Sequence, residues 1–169
     1  MKKFKYINMN NKMIRTILPK IKMHTKEIKH AKIYPEFNFR MNFDGCSKGN
    51  PGLSGAGAVI YNNNNEIWAG TYFVGENATN NQAEYAGLIL GLQQAIELDI
   101  KNLLVQGDSQ LIINHMTGKY KCSSENLLEL YKKAKILETK FDNIFYQHIF
   151  RNLNTRADEL SNIAIKDYK

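Results

Sequence analysis

The chain has 169 residues, enough for one domain with a substantial core and too few for two ordinary ones. Hydrophobic residues make up 43% and charged residues 23%, the balance of a globular protein, and no apolar run approaches a membrane span, so no membrane partner is expected. Cys46 and Cys122 lie far apart, with neither CxxC nor zinc-ligand spacing. That argues against a disulfide framework and for an intracellular, reducing compartment, cytoplasm or nucleus.

The net charge of +7 is unevenly placed. Residues 1–37 hold ten Lys and Arg against Glu27 and Glu36, a surplus of eight, which leaves residues 38–169 at −1. Pro35 and the onset of strand alternation divide the chain into a basic extension, 1–37, and a folded domain, 38–169. The extension reads as a solvated flexible tail, an attractor of polyanions, or an organelle-targeting segment.

Phe39, Met41 and Phe43 alternate with Arg40, Asn42 and Asp44, the period of a half-buried strand ending at Asp44. The Gly-rich run 45–55 reads as turn chemistry, followed by strands over 56–61 and 66–74. These three form antiparallel neighbours. A helix capped by Asn80 or Asn81 follows to Leu98, with Leu88, Leu92, Ala95 and Ile96 at helical spacing. A strand over 101–107, a short helix from Asp108 or Ser109, and a helix from Ser123 or Ser124 to about Lys140 come next. A fifth strand over 143–150 and a last helix capped by Asn154 complete the order βββαβααβα. The fold class is α/β: a mixed five-stranded sheet, three antiparallel strands plus two more, with helices on both faces. Trp68, the sole tryptophan, is expected to pack in the sheet.

Four acids occupy element ends: Asp44 after the first strand, Glu84 in the first turn of the long helix, Asp108 after the fourth strand and Asp158 opening the last helix. Glu84 shares a face with Leu88, Gly91, Leu92 and Ala95, so it is expected to point inward. Singly, each acid also fits an ordinary helix-end or turn role. Together they form a converging set without matching cations, which repels itself unless divalent metal is bound. Hard Mg²⁺ suits such oxygen ligands, and a pair of ions about 3.5–4 Å apart suits in-line phosphoryl chemistry.

Four segments then appear in order: 43–52 (FDGCSKGNPG), 79–85 (TNNQAEY), 107–110 (GDSQ) and 148–160 (HIFRNLNTRADEL). Over about residues 38–167 they resemble the signature motifs of type 1 ribonuclease H. The chain is similar to the archaeal and plant-like members, without the basic, Trp-rich handle. The resemblance implies an endonuclease that hydrolyses the RNA strand of RNA–DNA hybrids with two Mg²⁺ ions, or Mn²⁺ in their place. The ends left are 5′-phosphate and 3′-hydroxyl.

By the same resemblance Asp44, Glu84, Asp108 and Asp158 are the catalytic, metal-binding carboxylates. Gly45, Cys46, Asn50, Asn80, Asn81 and Gln110 match hybrid contacts in the minor groove, and Thr79 matches a DNA-phosphate contact. Arg151, three residues before Asn154 as in an HxPRxxN pattern, is assigned with Asn154 to substrate binding. Phe150 stands where that pattern has Pro, and His148 is expected to be structural. A monomer is expected. The alternatives are a non-catalytic module binding hybrid or double-stranded RNA, and another nuclease or strand transferase of the same fold.

Overall fold

The computed structural model describes residues 37–168. All but the last position of the expected basic extension lies outside them. Strands β1 (Phe39–Gly49), β2 (Gly52–Asn62) and β3 (Asn65–Ala78) lead into helix α1 (Asn80–Glu97). Then come β4 (Asn102–Gly107), α2 (Gln110–Met116), α3 (Glu125–Glu138), β5 (Asn143–His148), a 3₁₀ turn (Arg151–Leu153) and α4 (Thr155–Lys166). The sheet order is β3-β2-β1-β4-β5. β1, β2 and β3 pair antiparallel, while β4 lies parallel to β1 and β5 parallel to β4. The mixed five-stranded sheet is therefore as expected. Among the described residues, no helix is long and apolar enough to cross a membrane.

β1 is the middle strand, and both of its faces are covered. Met41 and Phe43 join Ala58, Ile60, Leu88, Leu92, Leu103 and Val105 in the larger core beneath α1, with Trp68 packed at its margin. On the opposite face Val59 packs with Ala157 and Leu160 of α4. The polar side of the β1 alternation thus faces a helix instead of water, and Asn42 and Asp44 are each only 4% exposed. That burial requires partners for both, and it is what assembles the site.

The Gly-rich run does not turn where its composition suggests. β1 continues past Asp44 to Gly49 and β2 begins at Gly52, paired in register from Gly45↔Ala56 to Gly49↔Gly52. The reversal is confined to Asn50 and Pro51. Several of these glycines permit close approach. A Cβ on Gly45 would overlap the Ala83 and Glu84 backbone of α1, and one on Gly55 would lie 2.4 Å from the Ser161 carbonyl oxygen of α4. Glycine here brings two helices down onto the sheet.

The α1 cap also differs from expectation. Thr79 Oγ1 accepts from Gln82 N at 3.3 Å, and Thr79 N donates to Gln82 Oε1 at 2.8 Å, a reciprocal capping box. Asn80 and Asn81 are the first two helical residues, and Glu84 stands one step beyond the first turn. Thr with Gln three residues on completes both bonds, which an Asn cap one residue later cannot do.

Candidate active site

β1 and β4 run parallel, with Phe43 level with Gly107 in the last pair. The next residue on each strand is Asp44 and Asp108, so the two carboxylates stand side by side where the pairing ends. α1 supplies the third acid. Gly45 and Gly87 let its backbone close on β1, a Cβ on Gly87 lying 2.5 Å from the Asp44 carbonyl oxygen. Glu84 is thereby carried into the site with 6% exposure. Asp44, Glu84 and Asp108 each offer an oxygen, all within 4.8 Å of one another.

Asp158 is not drawn into that group. It sits in the first turn of α4, where its Oδ1 accepts from Arg151 Nη2 at 2.6 Å. The expectation of four converging acids is met by three, with the fourth held at the margin by a cation. The Asp158 charge still reaches Asp44 and adds to its reluctance to ionise.

Two carboxyls are held above their ordinary range. Burial is the main cause for Asp44, pushed up to about 6, and the charges of Asp108 and Asp158 add to it. The Ser161 hydroxyl, donating to Asp44 Oδ2 at 2.6 Å, works the other way. Glu84 is raised well above the usual range by burial first, then by Asp44 and Asp108, against an opposing Gly45 backbone hydrogen bond. Its Oε2 is buried with no hydrogen-bond partner. A buried, unpaired carboxylate oxygen facing two other acids makes a donor set that could hold a hard cation.

The remaining expected contacts divide by place. Cys46 is half-buried two residues beyond Asp44, while Asn50, Asn80 and Gln110 are exposed and Asn81 is half-buried. Asn50 Oδ1 accepts from the Asn80 backbone at 3.1 Å, tying the β1–β2 reversal to the start of α1. Thr79 is committed to its capping box. Arg151 is exposed and bound to Asp158. Asn154 is placed differently from expectation: it is 1% exposed, and its side chain makes no helix cap. Its Nδ2 donates to the Phe43 carbonyl at 2.8 Å and to Asp108 Oδ1 at 2.7 Å. Both amide hydrogens are used inside the protein, so Asn154 braces Asp108 and has none left for substrate.

His148, exposed at the end of β5, lies 3.1 Å through Nε2 from the Asp108 carbonyl and meets the exposed Phe150 ring edge-on. Two further residues of the site, Ser161 and Asn42, are ones that sequence reasoning does not single out. Ser161 follows Asp158 by three residues and so shares its side of α4, a weak signal. Asn42 shares a strand face with Asp44.

A five-stranded mixed sheet that gathers buried acids where its central parallel strands stop pairing defines the ribonuclease H-like class. The reverse transcriptase-like family model matches residues 42–164. Ribonuclease HI of Halobacterium salinarum is 37% identical over 140 residues, covering 81% of this chain and 70% of that protein. Its crystal structure superposes with a TM-score of 0.73, at 35% identity over 76% of this chain and 98% of that one. Bifunctional protein Rv2228c of Mycobacterium tuberculosis is 41% identical over 123 residues, 72% of this chain and 34% of that protein. The chain thus spans about a third of the length of its mycobacterial relatives. LC11-RNase H1, obtained from compost and solved in complex with an RNA/DNA hybrid, gives a TM-score of 0.72 at 34% identity, covering 77% of this chain and 98% of that one. The chain belongs to the type 1 ribonuclease H branch of the reverse transcriptase-like family.

Proposed function

We propose that this chain is a divalent-metal-dependent endonuclease that hydrolyses the RNA strand of RNA–DNA hybrids, leaving 5′-phosphate and 3′-hydroxyl ends. The observation that carries the reading is Glu84 Oε2, buried and unpartnered beside Asp44 and Asp108. The donor set is all oxygen and anionic, which fits Mg²⁺ or Mn²⁺ and suits neither a soft metal nor an organic cofactor. Asp44, Glu84 and Asp108 would hold the ions, with Asp158 joining once released from Arg151. Two bound ions would supply charge neutralisation and Lewis-acid activation at the scissile phosphate.

The chain's own residues have separable tasks. Ser161 fixes one oxygen of Asp44, leaving the other for the site. Asn154 fixes Asp108. Arg151, exposed beside Asp158, is placed to exchange that carboxylate for a phosphate. Asn50, Asn80, Asn81 and Gln110 carry neutral amides suited to reading 2′-hydroxyls and base edges, with Gly45 and Cys46 offering backbone close to the acids. We place the chain in a reducing compartment and take a monomer as its working unit.

The deciding experiment is cleavage of a labelled RNA–DNA hybrid with Mg²⁺, with chelator, and beside all-DNA and all-RNA duplexes. Cutting confined to the RNA of the hybrid and abolished by chelator is expected. Equal cutting of the DNA duplex, or hybrid binding without cutting, overturns the assignment.

The basic extension is assigned an electrostatic part. Deleting residues 1–37 removes a surplus of eight positive charges. Hybrid affinity should fall, and the slope of log K against log salt should flatten by about 0.9 for each phosphate no longer neutralised. A titration at several salt concentrations checks this, and an unchanged slope assigns the segment to targeting or to no binding role.

A further inference from the structure

The candidate site has a supporting residue that no motif contains. Asn42 lies two positions before Asp44 on the α4 face of β1, 4% exposed. Its Nδ2 donates to Asn154 Oδ1 at 3.2 Å. Asn154 in turn gives one hydrogen to the Phe43 carbonyl and the other to Asp108 Oδ1. Those two acceptors determine which way the Asn154 amide faces, so its oxygen must point at Asn42. A chain of amides therefore runs from Asn42 through Asn154 to Asp108.

The other half of Asn42 is left unmatched. Its Oδ1 is buried without a partner, and the residue lines a cleft of about 150 Å³ together with Arg40, Tyr61, Asn154 and Arg156. A buried acceptor without a donor is costly, and a leucine of similar size at this central-strand position would remove this one. Packing alone gives no reason for an asparagine here. The one bond it makes is to the residue that holds Asp108. Without that donor, the Asn154 oxygen is itself buried and unpaired, and the amide gains by rotating away. Asp108 then loses the hydrogen bond that orients it.

We infer that Asn42 is a positioning residue, acting through Asn154 to hold Asp108 in the orientation that accepts a divalent ion. The inference rests on the metal reading of the site. Outer partners that orient a metal-binding carboxylate typically change affinity 10–100-fold when removed.

The test measures Mn²⁺ affinity calorimetrically in the substrate-free full-length chain, beside hybrid cleavage and thermal melting. Asn42→Leu should bind Mn²⁺ about tenfold more weakly, with a melting temperature close to that of the wild type, since one buried unpaired oxygen replaces another. Its cleavage rate should recover as Mn²⁺ is raised, while KM for the hybrid stays within about twofold, because Asn42 does not touch the substrate. Asn42→His should restore affinity: imidazole Nδ1 sits where the amide nitrogen was, and the cleft has room for the rest of the ring. Should leucine prevent folding, Asn42→Ser, too short to reach Asn154, carries the same expectation. Unchanged Mn²⁺ affinity in the Leu or Ser variant overturns the inference, as does a loss that falls in step with the melting temperature and is not rescued by His. A wild-type chain that takes up no Mn²⁺ overturns the metal reading itself, and this inference with it.

Discussion

Asp44→Asn should abolish hybrid cleavage and, in metal-free buffer, make the protein more stable. Asp44 is the central acid of the cluster, and no other side chain can supply its charge. A loss of at least about 10³-fold in rate is expected for a group this close to the reaction. The stability gain follows from the raised carboxyl, held near 6 against an ordinary 3.8. Below about pH 3 the group is protonated in both folded and unfolded chains and contributes almost nothing. As pH rises from about 4 to 6 the unfolded chain ionises first, so the folded state is progressively penalised, and above 6 the penalty is complete. Asparagine carries no such penalty, and its amide oxygen can still accept the Ser161 hydrogen bond.

The variant should therefore gain about 1–3 kcal/mol at neutral pH, and only about 0.5 kcal/mol at pH 4. Added Mg²⁺ should reverse the ranking, because an ion that binds only the folded wild type stabilises it by mass action. Melting curves at pH 4 and 7, with and without Mg²⁺, check all three points. A variant no more stable than wild type at pH 7 without metal would show that the acids are relieved by some other means.

Gly45→Ala is expected to damage both fold and site, although it adds one methyl group. The new Cβ would overlap backbone atoms of Ala83 and Glu84, which cannot rotate away as a side chain could. α1 must move off β1, taking Glu84 with it. Overpacking of this kind commonly costs about 1–3 kcal/mol, and backbone against backbone places this case at or above the upper end. Cleavage should fall at least about 100-fold, since misplacement by about 1 Å is enough for that. Gly118 is the control: its φ is +71°, but nothing lies within 4 Å of its Cβ position, so alanine there meets only backbone strain of about 1–2 kcal/mol. Urea melts and cleavage rates of the two variants make the comparison. Similar losses in both would mean that close approach at Gly45 is not what matters.

Much of this architecture is legible along the chain because its causes are local. Period-two alternation, a change to helical spacing after Thr79, and polar breaks between segments give five strands and four helices in order. The inward aim of Glu84 follows from its place on the Leu88–Leu92 stripe. The four motif segments name the family because each retains its residues in sequence. Local pattern fails where meaning depends on what lies across space. Gly45 and Gly55 look like turn residues until helices are found against them. Asn154 looks like a helix cap until it is found bonded to Asp108.

Sequence by itself therefore determined which residues are apolar on which period, which acids stand at element ends, and which family the order of motifs belongs to. Only the tertiary structure decided that three of those acids meet while Asp158 is held by Arg151, and that the polar side of β1 is buried under α4. The reason is physical. Periodicity records which side of an element is apolar, but the partner of a buried polar group is chosen by whichever distant segment packs against it, as α4 does over Asn42 and Asp44.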